Sequence, residues 1–222
     1  MADTKTRPPR MTWPYDRAEM IADGIVHGIG VSLGVIGAIV IVAIALGPTR
    51  ATDVASVVVY AVGLVSMLGF SAAYNIWPIS RVKSVLRRFD HSAIYLMIAS
   101  TYTPLVTVLK GSLMSAGLLV GVWSAAAAGV ALKLLCPGRF DRLAVAFYLL
   151  LGWSGIIVWN SVVASLPGVS LWLLAVGGAL YSAGVVFHAW RSLRFHNVIW
   201  HGFVLLAACC HYGAILGCVV RA

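Results

Sequence analysis

The chain has 222 residues, of which 61% are hydrophobic and 10% charged, with a net charge of +9. A soluble domain of this length needs more polar residues to cover its surface, so the composition is that of a polytopic membrane protein. The positive charge is spread over connections rather than gathered on one face, which excludes nucleic acid as the partner and points to membrane lipids.

Residues 1–18 are polar and basic, with Pro8, Pro9 and Pro14, and read as a cytoplasmic N-terminal segment without a secretory signal peptide. Apolar runs follow at 24–46, 53–74, 91–109, 113–135, 143–163, 169–189 and 199–220. Each is close to the ~20 residues that a helix needs to cross the hydrocarbon. The connections are short, so residues 19–222 form one membrane domain, an all-α seven-transmembrane helix bundle with sequential neighbours packed together. All sixteen Lys and Arg except Arg50, Lys110 and Arg221 lie in the N-terminal segment or at the second, fourth and sixth connections. That asymmetry puts the N-terminus in the cytoplasm and the C-terminus outside. Cys136, Cys209, Cys210 and Cys218 form no CxxC pair and read as small packing residues.

Polar residues inside or beside apolar runs are costly and mark functional sites. Here they gather at the cytoplasmic ends. Glu19, Asp23 and His27 share one face of the first helix at i, i+4, i+8 spacing. They read either as a relay for protons or cations or as a solvated first turn. Ser71 and Asn75 share a face at the end of the second helix. Asp90 and His91 are expected to open the third, with the aspartate as its cap. Asn197 and His201 share a face at the start of the last. The centres of the spans carry no charge, which argues against a pore lined by a continuous polar path.

Several of these blocks resemble a known family. SAAYN at 71–75, RFDHSAIY at 88–95, STYTP at 100–104, WHGFVL at 200–205 and the Glu19/Asp23/His27 pattern are similar to the bacterial hemolysin III branch of the progestin and adipoQ receptor (PAQR) family. The resemblance implies seven helices, a multi-pass place in the bacterial plasma (inner) membrane, and a zinc site near the cytoplasmic face. It matches Ser71 to the family's serine, Asp90 to its aspartate and His201 to a zinc-binding histidine. The other two zinc-binding histidines fall on Asn75 and Asn197, with His196 one residue away.

An asparagine carbonyl is a hard, weak ligand suited to calcium or magnesium rather than zinc. His196, His91, His27 and Asp23 are the substitutes within the sequence. The substitutions predict that zinc binding is weakened or lost while the polar pocket is kept, with Asn75 and Asn197 bonding to each other and to His201. The function implied is lipid binding or sensing in membrane homeostasis. Two alternatives stay open: a zinc-dependent lipid amide hydrolase using Ser71 and Asp90 as catalytic groups, and a pore-forming or transport protein.

Overall fold

The computed structural model describes residues 15–47, 54–109, 113–136, 138 and 141–221. Most of the basic N-terminal segment, and with it Lys5, Arg7 and Arg10, lies outside the described residues, as do Arg50, Lys110 and Arg139. The helices are α1 (Arg17–Ala45), α2 (Val54–Ile76), α3 (Arg81–Val108), α4 (Leu113–Leu135), α5 (Asp141–Trp153), α6 (Trp159–Ser165), α7 (Gly168–Ala189) and α8 (His196–Arg221). A 3-10 turn, Ser154–Val158, joins α5 to α6. No strand occurs among the described residues. The chain is an all-α membrane protein.

Its surface is turned inside out relative to a soluble bundle. On α1 the exposed stripe is Ile25, Ile29, Ile36 and Ile39, while the buried positions include Asp23, His27, Gly30 and Gly34. An apolar coat around a polar interior is stable only where the surroundings are hydrocarbon. Among the described residues, six helical rods are long and apolar enough to cross a membrane, with 143–165 counting as one despite its break. α3 is not among them, because Ser92, Ser100, Thr101, Thr103 and Thr107 dilute its apolar run. It needs no apolar coat: it lies inside the bundle, against α2, α4, α5 and α8. Four of these hydroxyls, all but that of Ser92, bond within the helix, as when Thr101 Oγ1 donates to the Met97 carbonyl at 2.7 Å and Thr103 Oγ1 to that of Ala99 at 3.0 Å. Successive helices are neighbours, and α1 packs on α8 to close the ring. Close approach sets two of the contacts. A Cβ on Gly63 would overlap Ser100 Oγ, and one on Gly129 would overlap the Tyr95 ring.

Two expectations are corrected, where α3 starts and whether the fifth rod is continuous. α3 begins ten residues before His91, and its cap is Ser80, whose Oγ accepts from the Lys83 N–H at 3.3 Å. Asp90 therefore sits inside the helix and does not cap it. The low hydropathy of the basic stretch marks it as a connection, although nothing in it opposes a helix. α1 begins at Arg17 and so includes Glu19 and Asp23 as expected, since Asp16 and Glu19 form a reciprocal capping box with bonds of 2.9 and 2.8 Å.

The fifth apolar run is the second correction: it is a broken rod, not one continuous helix. The break frees backbone groups in mid-bundle, and Tyr102 of α3 takes them up. Its hydroxyl donates to the Gly152 carbonyl at 2.8 Å and accepts from the Gly155 N–H at 2.7 Å. Tyr102→Phe should leave both unpaired and lower stability by about 1–3 kcal/mol. Thermal melting of the detergent-solubilised variant against the native chain checks this; an unchanged midpoint would mean that water or a register shift takes over.

Candidate functional site

Four helix ends build the site. The side chain of Lys83 folds back on the end of α2, with Nζ donating to the carbonyls of Tyr74 at 2.6 Å and Trp77 at 3.1 Å. A cation on these last carbonyls suits the negative end of the helix. It also fixes the final turn of α2, which carries Asn75. At the opposite corner, Glu19 holds the turn before α8: its Oε1 accepts from the Phe195 N–H at 2.8 Å. Phe195 is left-handed, with φ 61, a conformation costly for a residue with a bulky side chain. Arg194 adds a bond to Asp16 at 2.9 Å. The first turn of α8, with Asn197 and His201, is thus clamped against α1.

Asp23 is the hub between those two helices. It is 8% exposed, and both its oxygens are engaged. His201 Nδ1 lies 2.6 Å from Oδ1, and Asn197 Nδ2 donates to Oδ2 at 3.1 Å. His27, one turn along, is 6% exposed. Its Nδ1–H donates to the Asp23 carbonyl at 2.8 Å, which leaves Nε2 as the nitrogen with a free lone pair. That nitrogen faces α2, 3.2 Å from Ser71 Oγ and 3.5 Å from Asn75 Nδ2. The two imidazoles meet edge to face with centroids 4.4 Å apart. One ligand-capable atom each from Asp23, His27 and His201 falls within 4.8 Å of the others.

The two asparagines lie between these groups. Asn75 Nδ2 donates to the Ser71 carbonyl at 2.9 Å, and Asn197 Nδ2 lies 3.5 Å from both Asn75 Oδ1 and His201 Nδ1. A carboxylate only accepts, so the amide nitrogen of Asn197 must be the atom turned to Asp23. Asp90 and Ser71 line the same cavity as the hub and interact with one another. Two of the sequence's substitute ligands line the same cavity but stand outside the cluster of Asp23, His27 and His201. His91 faces α5, with Nδ1 4.0 Å from Asp141 Oδ1. The His196 ring packs 5.8 Å from that of Tyr15, and its Nδ1 is buried without a partner.

The cavity has a volume of about 790 Å³. From the polar cluster it continues past Met97, Ile98, Val204 and Leu205 to Tyr102, Trp153, Gly178, Tyr181 and His211. His201 and His211 are ten residues apart on one helix, about 15 Å along its axis. One end is therefore polar and the length beyond it mostly apolar.

A second polar group went unread in the sequence. Lys133, 2% exposed, donates from the last turn of α4 to Asp141 Oδ1 at 2.7 Å, and Arg87 of α3 donates to Asp141 Oδ2 at 2.9 Å. The signal was a lysine at the end of one helix and an aspartate eight residues on, at the start of the next. Burial pushes the Asp141 carboxyl up, but the hydrogen bond and charge of Lys133 and the charge of Arg87 outweigh it and hold it below the usual carboxylate range. Because the folded value is the lower one, the clamp contributes its full stability above the ordinary carboxylate range and loses it as pH falls through the folded value. Asp141→Asn, which leaves Lys133 buried without a carboxylate, should cost about 2 kcal/mol, less than a fully buried pair because Asp141 itself is partly exposed to solvent. The gap in melting temperature between Asp141→Asn and the native chain should close as the pH is lowered; a gap independent of pH would count against the clamp.

Residues 17–212 match the family described as haemolysin-III related. The chain is 40% identical over 188 residues to a hemolysin-3 homolog of Bacillus subtilis, covering 84% of this chain and 88% of that one. It is 34% identical over 187 residues to hemolysin-3 of Bacillus cereus, covering 84% and 85%. The human monocyte to macrophage differentiation factor is 31% identical over 163 residues, covering 71% and 67%. No solved structure matches. The chain belongs to the haemolysin-III-related proteins, the hemolysin III branch of the PAQR family, and is a multi-pass membrane protein.

Proposed function

We propose that this chain spans the bacterial plasma (inner) membrane seven times, with the N-terminus in the cytoplasm and the C-terminus outside, and that its cavity binds an amphipathic membrane lipid as part of membrane homeostasis. The seventh span is α3, sheltered by its neighbours. Orientation rests on charge: Arg17, Arg81, Lys83, Arg87, Lys133, Arg191 and Arg194 lie at the end of the bundle where the polar cluster sits, as cytoplasmic ends prefer.

The observation that carries the lipid reading is the cavity's polarity. Asp23, His27, Ser71, Asn75, Asp90 and His201 gather at one end of a cavity of about 790 Å³ whose remaining length is lined mostly by apolar side chains. Its volume lies within the usual ligand range of about 300–1,000 Å³, and its polarity matches a headgroup joined to a chain. Leu205 lines the cavity, whereas its neighbour Leu206 is 57% exposed on the outer surface. Leu205→Trp should therefore lose co-purifying lipid in native mass spectrometry, and Leu206→Trp should keep it. Equal lipid content in the two variants would remove the proposal.

A second reading, hydrolysis of a lipid amide, is favoured by Ser71 and Asp90 lining the same cavity beside the imidazoles. Asp23, His27 and His201 are the residues that would hold zinc, which when bound supplies a Lewis acid able to bring water's pKa near neutrality. Ser71 would orient a polar headgroup by its hydroxyl, and Asp90 would take up or hold a proton at its carboxylate. Turnover of an amide-linked lipid, absent in Ser71→Ala and Asp90→Ala, separates enzyme from sensor. A pore would release dye from liposomes, and no leakage is expected.

A further inference from the structure

We propose that the site binds one divalent transition metal, zinc foremost, through Asp23, His27 and His201, so that α1 supplies two of the three ligands and residues 75 and 197 none. The proposal concerns the same cavity as the lipid reading but does not depend on lipid being bound there.

The donor set is the first argument. Two imidazoles and one carboxylate, with ligand-capable atoms all within 4.8 Å, form a set that zinc accepts while keeping a fourth position open. Asp23 and His27 are almost fully buried, and His201 is nearly so, with 11% of its side chain exposed. Buried charge of this kind needs a partner of opposite sign.

The tautomers are the second. The Nδ1–H of His27 is committed to a backbone carbonyl at 2.8 Å, which fixes Nε2 as the free lone pair. Metal-binding histidines are oriented in this way by a bond from their other nitrogen. Asp23 and His201 touch at 2.6 Å, so one proton lies between two atoms that a cation would otherwise share.

The asparagines supply the third. Both turn their amide nitrogens to the ligand atoms, Asn197 to Asp23 Oδ2 (3.1 Å) and Asn75 to His27 Nε2 (3.5 Å). An N–H donor turned towards the site repels a cation. Asn197 is a positioning residue that holds the Asp23 carboxylate, and Asn75 fills the space beside His27.

The test uses the full chain in detergent, stripped with chelator and titrated with cobalt(II) and zinc without added lipid. The expected result is one bound metal per chain, with the visible absorption of low-coordinate cobalt. His27→Gln and Asp23→Asn should each weaken binding by more than about 100-fold, the upper range for loss of an outer partner. Asn197→Ala should weaken it by about 10–100-fold, while His196→Ala and His91→Ala should leave it unchanged. Asp23→Asn also turns one of the two acceptors that join α1 to α8 into a donor, so His27→Gln decides the ligand set if the other variant does not fold. No saturable metal in the native chain overturns the proposal, as does binding that His27→Gln leaves intact. Lipid content measured on the same samples keeps the two readings separate: loss of metal binding with lipid retained defeats only this one.

Discussion

Asp23→Leu, in chelator-washed protein, is expected to lower stability by about 3–5 kcal/mol, the range for breaking a buried charged pair by removing one partner. Leucine keeps the forked outline of the side chain, though with bulkier methyl groups, and removes every acceptor, so most of the loss is not one of packing. It comes from His201 Nδ1–H and the Asn197 amide, each left inside the bundle without the acceptor it now meets at 2.6 and 3.1 Å. An ordinary interhelical hydrogen bond in a membrane protein contributes about 0.6 kcal/mol, so a loss of several kcal/mol marks a hub rather than one contact among many. Asp23→Asn is the control. Its amide carbonyl can still accept from His201, but its NH2 meets that of Asn197, so the expected loss is smaller, about 1–2 kcal/mol. Thermal unfolding of the three proteins in one detergent, followed by intrinsic tryptophan fluorescence, gives the comparison. If Asp23→Leu melts within the spread of a lipid-facing control such as Ile25→Leu, Asp23 holds nothing together.

The expected size of this effect bears on what a sequence alone can reveal. Helical spacing puts Ser71 with Asn75, and Asn197 with His201, on common faces, and charge asymmetry brings all four to one end of the bundle; both are local properties of the chain. The role of Asp23 is not local. It depends on how far α1 is rotated about its own axis relative to α8, and that follows from the closure of the ring by α1 against α8. Glu19, Asp23 and His27 look equivalent at i, i+4, i+8, yet packing separates them. Glu19 pins the Phe195 turn, Asp23 joins α8, and His27 turns to α2.

Hydropathy misleads in two ways for different reasons. It hides the start of α3, because Arg81–Phe89 is helical but polar. It also hides the break in the fifth rod, because Gly152–Ile157 stays apolar while its hydrogen-bonding pattern changes. What repairs that break, Tyr102, lies about fifty residues away, with |i−j| of 50 and 53 for its two bonds. Lys133 and Asp141 were missed for a related reason. A lysine near a helix end reads as a surface charge until α3 and α5 are seen to cover it.

Restoring histidine at both asparagines should change which residues hold metal. With Asn75→His and Asn197→His together, two imidazoles join His201 on α2 and α8, making a three-histidine donor set of the type zinc accepts without a carboxylate ligand. Metal affinity is then expected to become nearly independent of Asp23. Asp23→Asn, which weakens binding by more than about 100-fold in the native background, should weaken it by less than about 10-fold in the double variant. The two backgrounds form a thermodynamic cycle, and the coupling between position 23 and positions 75 and 197 is its result. Both measurements use the same cobalt titration, so a folding defect shows as lost protein rather than as altered coupling. Additive effects would mean that Asp23 and the two asparagines act on the metal separately. Strong coupling would mean that one ion-sized space in this fold is served by α1 in the native chain, and by α2 and α8 once their imidazoles are present.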